Sequence, residues 1–158
     1  MMGKLAEPQI EEVLKKQIFG RIGCHADDTT YIVPISFAYD GRNIYCHSLQ
    51  GKKIEMMRKN PNVCFEVDIM ENMGNWESVI CWGSFEEIND PEQRKHAVEL
   101  LLHRHLPIVS SETVKLTPSW PFYKDGEEGE VDGVIFRILL HEKTGRYERQ
   151  NTNHYHTS

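Results

Sequence analysis

The sequence predicts a mainly β domain with flanking helices, in which six antiparallel strands close into a small barrel. Three observations predict it. Short runs rich in Val, Ile, Tyr, Phe and Cys are divided by turn formers such as Asp27-Asp28 and Asp40-Gly41-Arg42-Asn43. The runs follow one another in hairpin-like order with few helices between them, unlike the βαβ alternation of a parallel sheet. Antiparallel strands in that order lose their exposed edges by closing on themselves.

The chain of 158 residues is expected to form a single domain (1–158), with the barrel over about 20–145 and a polar tail at 146–158. Hydrophobic residues at 39% and charged ones at 27% fit a soluble globular protein. No apolar run approaches the roughly 20 residues of a membrane helix, so no membrane association is expected. Met1 to Ile10 has no apolar signal core, which points to the cytoplasm. A net charge of -6 argues against a nucleic-acid partner, although local lysines still allow a small anionic ligand. Cys24, Cys46, Cys64 and Cys81 form no C-x-x-C pair and sit in strand-like runs. They are expected as buried reduced thiols, with neither a metal site nor a disulfide framework.

In order along the chain, residues 8–17 predict a helix, with Pro8 in its first turn and Ile10, Val13, Leu14 and Ile18 as its apolar stripe. Strands follow at 21–26 and 31–39. Within the second, Pro34 cannot donate to a ladder and marks an edge, a bulge or a point of departure, where a flat ligand finds unpaired backbone. Ile44, Tyr45 and Cys46 form the next strand, and 47–51 is a polar crossing. A helix starts at Lys52 and is ended by Asn60-Pro61. Residues 63–68 predict a strand, 69–75 a loop, and 78–88 a long strand bent at Gly83. Asn89-Asp90-Pro91-Glu92 is a strong helix start for a helix running to about His105, with Val98, Leu101 and Leu102 inward. Residues 106–130 read as a long loop, 131–142 as the last strand, and the sequence beyond Gly145 as a poorly ordered tail.

The stretch with most chemical content is the crossing from Ile44 to Pro61. A strand end, a glycine-bearing turn and a helix opening on Lys52 and Lys53 suit a dianionic phosphate, because free backbone N–H groups and the positive helix end face it. His47 and Ser48 add donors. The same stretch also reads as a solvated strand-turn-helix with surface lysines, and taken alone it does not decide. There is no G-x-G-x-x-G or P-loop pattern. The spacing of His96, His103 and His105 does not suit a metal site, and His154 and His156 sit in the tail. Trp76 suits the core or an interface. The aromatic group Trp120, Pro121, Phe122 and Tyr123 either covers a pocket or packs under the barrel.

In order, Val33-Pro34-Ile35-Ser36-Phe37, Tyr45-x-His47-Ser48, Gly51-Lys52-Lys53, Asn60-Pro61-x-Val63-Cys64-Phe65 and Ser78-Val79-x-x-x-Gly83 resemble the FMN-binding split-barrel family. Within the pyridoxamine 5'-phosphate oxidase-like group, the likeness is to the nitroimidazole-resistance proteins. The resemblance implies a homodimer with FMN at the subunit interface, FAD being possible because it contains the FMN portion. It implies His47, Ser48, Lys52 and above all Lys53 on the phosphate. Pro34, Ile35 and Ser36 would lie along the ring, with Ser78 and Val79 also in contact. The activity implied is that of a flavin-dependent oxidoreductase on a small molecule, with the chemistry in the cofactor and no catalytic side chain assigned. The alternatives are a flavin binder without robust turnover and a haem-binding or haem-degrading split barrel. A pyridoxamine phosphate oxidase proper is disfavoured, since Arg146 and Arg149 stand without a nearby tryptophan.

Overall fold

The computed structural model describes residues 1–104 and 133–150. The loop expected at 106–130 with its aromatic group, His105 and the tail histidines lie outside those residues. The elements are β1 (Met2–Lys4), α1 (Glu7–Lys16), β2 (Phe19–Ala26), β3 (Thr29–Ser36), β4 (Ala38–Tyr39), β5 (Asn43–Ser48), α2 (Lys52–Lys59), β6 (Asn62–Asn72), β7 (Asn75–Glu87), α3 (Pro91–Leu102) and β8 (Val134–Glu148).

The strands form one antiparallel sheet in the order β3-β2-β6-β7-β8-β5-β4, with β1 added on β8. β3 and β4 stand at opposite ends of that order, yet only Phe37 separates them in the chain. The strand therefore bends at Phe37, leaves β2 and joins β5, which closes the sheet into a barrel split along β3. Phe37 anchors the bend: its side chain is fully buried and its N–H donates to the Ile18 carbonyl at 2.9 Å. The sheet counts eight strands. With β3 and β4 taken as one bent run and β1 as a three-residue addition, the barrel keeps the six that were expected.

Alternation decides what fills the barrel. Ile22, Ile44, Phe65, Val67, Val79, Cys81, Phe136 and Ile138 point inward and are completely buried. Phe37 and Phe65 meet edge-on at 5.0 Å, and each aromatic ring removed from water contributes roughly 1.5–3 kcal/mol. Ile10, Val13 and Leu14 of α1 join this core, as do Ile54, Met56 and Met57 of α2. A smaller cluster unites Tyr45, Ile88 and Ile135 with Ala97, Val98 and Leu101 of α3. Asp90 caps α3 by accepting from the Gln93 N–H at 3.0 Å, as its sequence foretells. Cys24, Cys46 and Cys81 are buried free thiols, and burial pushes Cys81 up to about 12. Cys64 is only half-buried, because its position on β6 faces outward.

Three boundaries differ from expectation. Residues 69–75 are not a loop: β6 and β7 stay paired out to Met70↔Trp76 and Asn72↔Asn75, and Asn72 Oδ1 accepts from the Gly74 N–H at the tip. This arm reaches beyond the core, so backbone bonds hold it without the apolar alternation that marks a strand in sequence. β8 likewise runs on to Glu148, because β7 and β1 flank its last residues. His47 and Ser48 belong to β5 rather than to the crossing. The expected bend at Gly83 is a bulge: Trp82 faces Glu142 while Gly83 faces Leu140, leaving His141 as the extra residue. A Cβ on Gly83 would lie 2.4 Å from the Leu139 carbonyl oxygen, so the close approach requires glycine. No described helix is long and apolar enough to cross a membrane.

Candidate functional site

The crossing from β5 into α2 is set by three anchors. Lys59 pairs with Asp27 at 2.6 Å, Asn60 Nδ2 donates to the His25 carbonyl at 2.8 Å, and Arg58 grips Glu87 with two bonds of 2.7 and 3.0 Å. These fix the C-terminal half of α2 against the β2–β3 hairpin and the end of β7. The N-terminal half is left open. Gly51 is extended and offers no side chain, and Glu55 is the first residue whose N–H reaches back, to the Gly51 carbonyl at 3.1 Å. The Lys52, Lys53 and Ile54 N–H groups therefore leave the helix start with no acceptor among the described residues.

The charges there are also uncommitted. Among the described residues neither Lys52 nor Lys53 makes an ion pair, whereas Arg58 and Lys59 in the same helix both do. The Lys52 ammonium stands 5.0 Å from the centre of the Tyr31 ring, bridging from α2 to β3. Lys53 is half-buried. Its charge acts on the thiols of Cys24 on β2 and, after that of Arg104, of Cys46 on β5. Burial raises both thiols, and the nearby cation only partly offsets that.

Pro34, Ile35 and Ser36 lie on β3, whose only ladder partner among the described residues is β2. Proline is tolerated there because an edge strand has a side on which no donor is required. Ile35 points into the core, while Pro34 is exposed and Ser36 half-buried. Lys52 and Lys53 thus share one end of the barrel with Tyr31 and the open edge of β3.

The other named residues are not all brought to this point. His47 and Ser48 are neighbours on β5 and face opposite ways. The Ser48 hydroxyl is buried and donates to the Leu49 carbonyl at 2.8 Å, while the His47 ring stands beside Gly133. Gly133, at φ 89°, allows that approach: a Cβ there would lie 3.0 Å from His47 Nε2 and 2.7 Å from the Ser48 oxygen. Val79 is fully buried in a strand paired on both sides. Ser78 lies on the outer face, where its hydroxyl donates to Glu66 at 3.2 Å. With β2 and β6 between them, Ser78 and β3 are roughly 14 Å apart.

Two arrangements have no signal in the sequence. One is Tyr31 beneath Lys52. The other is a polar cluster in which Glu11 of α1 accepts from the Tyr39 hydroxyl, at 2.7 and 2.9 Å, and from Lys143 of β8, which also donates to Tyr39 at 3.1 Å. Burial raises Glu11, but the bonds from Lys143 and Tyr39 outweigh it and hold the carboxyl below its ordinary value. Tyr39 is pushed up to about 12 by burial and by its bond to Glu11. This cluster stitches α1 to the barrel and holds no free group.

The chain resembles a solved FAD-binding protein from Mesorhizobium loti at 31% identity, covering 93% of this chain and 98% of that one, with a TM-score of 0.69. An uncharacterized protein of Rhizobium meliloti is 33% identical over 101 residues, 61% of this chain and 67% of the other. The fold is shared by a putative 5-nitroimidazole antibiotic resistance protein from Bacteroides thetaiotaomicron, at 23% identity and a TM-score of 0.68 over 93% of this chain and 89% of that one. The pyridoxamine 5'-phosphate oxidase family model matches residues 6–147, and the chain belongs to that family.

Proposed function

We propose that the chain binds a flavin, FMN or the FMN portion of FAD, with its phosphate at the start of α2 and its ring along the edge of β3. The observation that carries this reading is the pair of uncommitted lysines at an uncapped helix start beside an unpaired strand edge. The donor set fits the group. Backbone N–H groups and Lys53 suit a dianion, the β3 edge offers backbone bonds to the ring's polar rim, and Pro34 provides an apolar surface. The Mesorhizobium loti relative, an FAD-binding protein, supports the same reading. Bound flavin would supply hydride or electron transfer, and this chain's residues bind and orient it. The activity proposed is that of an oxidoreductase on a small molecule, with nitroimidazoles as one substrate class to test.

We further propose a homodimer with flavin at its interface. The outer face of the barrel supports it: the paired register places Ile32, Gly23, Cys64 and Trp82 in one row, with Pro34, Arg21, Glu66 and Ile80 in the next. Ile32 is 66% exposed and Trp82 40%, an apolar surface that a second copy would cover. The test is the visible spectrum of the purified protein, followed by titration with FMN and FAD. Flavin absorbance and reduction by NADH or NADPH are expected. A colourless chain that ignores both flavins refutes the reading, and bound flavin that no nicotinamide reduces leaves binding without turnover.

A further inference from the structure

A cavity of about 430 Å³ opens between the C-terminal ends of α1 and α3, away from the α2 turn. Ile18 and Leu100 give it an apolar wall, Phe37 contributes its backbone carbonyl, and Lys15, Lys16, His103 and Arg104 line it, with no carboxylate among its described residues. Lys16 is ion-paired with Glu12 on the surface, whereas Lys15 is exposed and has no such partner among the described residues.

Arg104 is the residue that requires explanation. It is half-buried, and among the described residues its guanidinium donates only to neutral carbonyls: Nε to Leu101 at 2.7 Å and Nη1 to Phe37 at 3.1 Å. No ion pair compensates it among the described residues. Desolvation accordingly holds its pKa below the ordinary arginine value. A charge drawn partly out of water and left without a counter-charge is costly, and an anion in the cavity would remove that cost. His103 also lines the cavity, but its Nδ1–H is spent on the Glu99 carbonyl at 2.6 Å and Nε2 of that tautomer is an acceptor, so it is not counted among the anion's donors. Helix C-termini attract cations, which accounts for the lysines at the end of α1. The two helix ends set about half a negative charge each against an anion. Glu12 pairs with Lys16, and Glu11, one turn before Lys15, also acts on Lys15, so Arg104 is the cation at the cavity that no described carboxylate offsets.

We propose that this cavity binds a small organic anion, whose carboxylate or phosphate pairs with Arg104 and Lys15 while its apolar body rests on Ile18 and Leu100. The site is separate from the lysines at the start of α2, and its occupancy does not require flavin.

The test is calorimetric titration of benzoate and of inorganic phosphate into wild type, Arg104→Met, Lys15→Glu and Lys53→Ala at low ionic strength. Saturable benzoate binding is expected in wild type and, unchanged, in Lys53→Ala; phosphate, which also suits the α2 turn, keeps in Lys53→Ala the share of its binding that Arg104→Met removes. Arg104→Met weakens it by about tenfold or more, the effect of losing one charge-assisted contact. Lys15→Glu weakens it too and, as an exposed position, keeps the test valid should Arg104→Met fail to fold. Benzoate binding assigns a carboxylate ligand, and phosphate binding a phosphate ester. Equal affinity in Arg104→Met and Lys15→Glu overturns the proposal. So does loss in Lys53→Ala alone, which would put the anion at the α2 turn, and so does the absence of saturable binding of either probe at millimolar concentration. None of these readouts passes through flavin, so they stand or fall independently of the cofactor.

Discussion

Lys53→Ala separates the proposed phosphate site from an ordinary solvated helix start. Lys53 is half-buried, and its charge reaches Cys24 and Cys46, two thiols inside the barrel. A charge-assisted bond from such an ammonium to phosphate is worth about 1.5–3 kcal/mol, or roughly 10- to 150-fold in flavin affinity. Lys52 is exposed against the Tyr31 ring, where a charge contact is worth about 0.2–1 kcal/mol, a few-fold at most. The expected order is therefore Lys53 well above Lys52, a ranking that a diffuse basic surface would not give. Quenching of flavin fluorescence, titrated at two salt concentrations, measures it. The Lys53→Ala protein also loses part of the salt dependence of wild type, since one screened charge is gone. Its unfolding midpoint stays put, because no described residue relies on Lys53 for an ion pair. Unchanged affinity in Lys53→Ala, or a larger loss in Lys52→Ala, refutes the placement.

Glu11→Gln destabilises the fold by about 1.5–3 kcal/mol at neutral pH, read by urea unfolding, since Lys143 and Tyr39 both donate to that carboxylate. Glu11 is held below its ordinary value, so its contribution is complete above the ordinary carboxyl value of 4.5 and fades as pH falls through the lower folded value. The variant and wild type should therefore converge in acid; a difference that persists there contradicts the assignment. Phe65→Ala removes the edge-on partner of Phe37 at 5.0 Å and costs about 3–5 kcal/mol by the same measurement. Gly83→Ala forces a Cβ to within 2.4 Å of the Leu139 oxygen and costs about 1–3 kcal/mol; a neutral result would show that the bulge relaxes freely.

What could be read from the sequence was whatever is local. Asp27-Asp28 marks the β2–β3 turn because both residues take positive φ, at 50° and 57°. Asp90-Pro91 marks α3, and Pro34 marks an edge, because each acts within its own short stretch of chain, the Asp90 carboxylate on the Gln93 N–H and each proline through the N–H it lacks. The β6–β7 arm escaped because ladder bonds hold it while its side chains, Ile69, Met70 and Trp76 among polar ones, show no clean alternation, and the end of β8 escaped because its side chains there are mostly polar. The α2 turn was legible as a run of consecutive residues. The cluster of Glu11, Tyr39 and Lys143 was not: its members stand 28 and 132 residues from Glu11, and only barrel closure joins them. Arg104 reaches Phe37 across 67 residues for the same reason.

Ser78 raises the question of assembly most sharply. The family resemblance implied a flavin contact for it, yet within one chain it stands on the outer face with β2 and β6 between it and β3. A flavin lying on the β3 edge of one protomer can meet Ser78 only from a second copy packed on that same apolar face. Two results then belong together. Trp82→Glu places a charge in the row shared with Ile32 and Cys64, so it should yield monomers in sedimentation and weaken flavin binding as well. The barrel interior is untouched, since Trp82 points outward and is 40% exposed. Monomers that keep full flavin affinity would show that one chain completes the site, and Ser78 would then have no part in it.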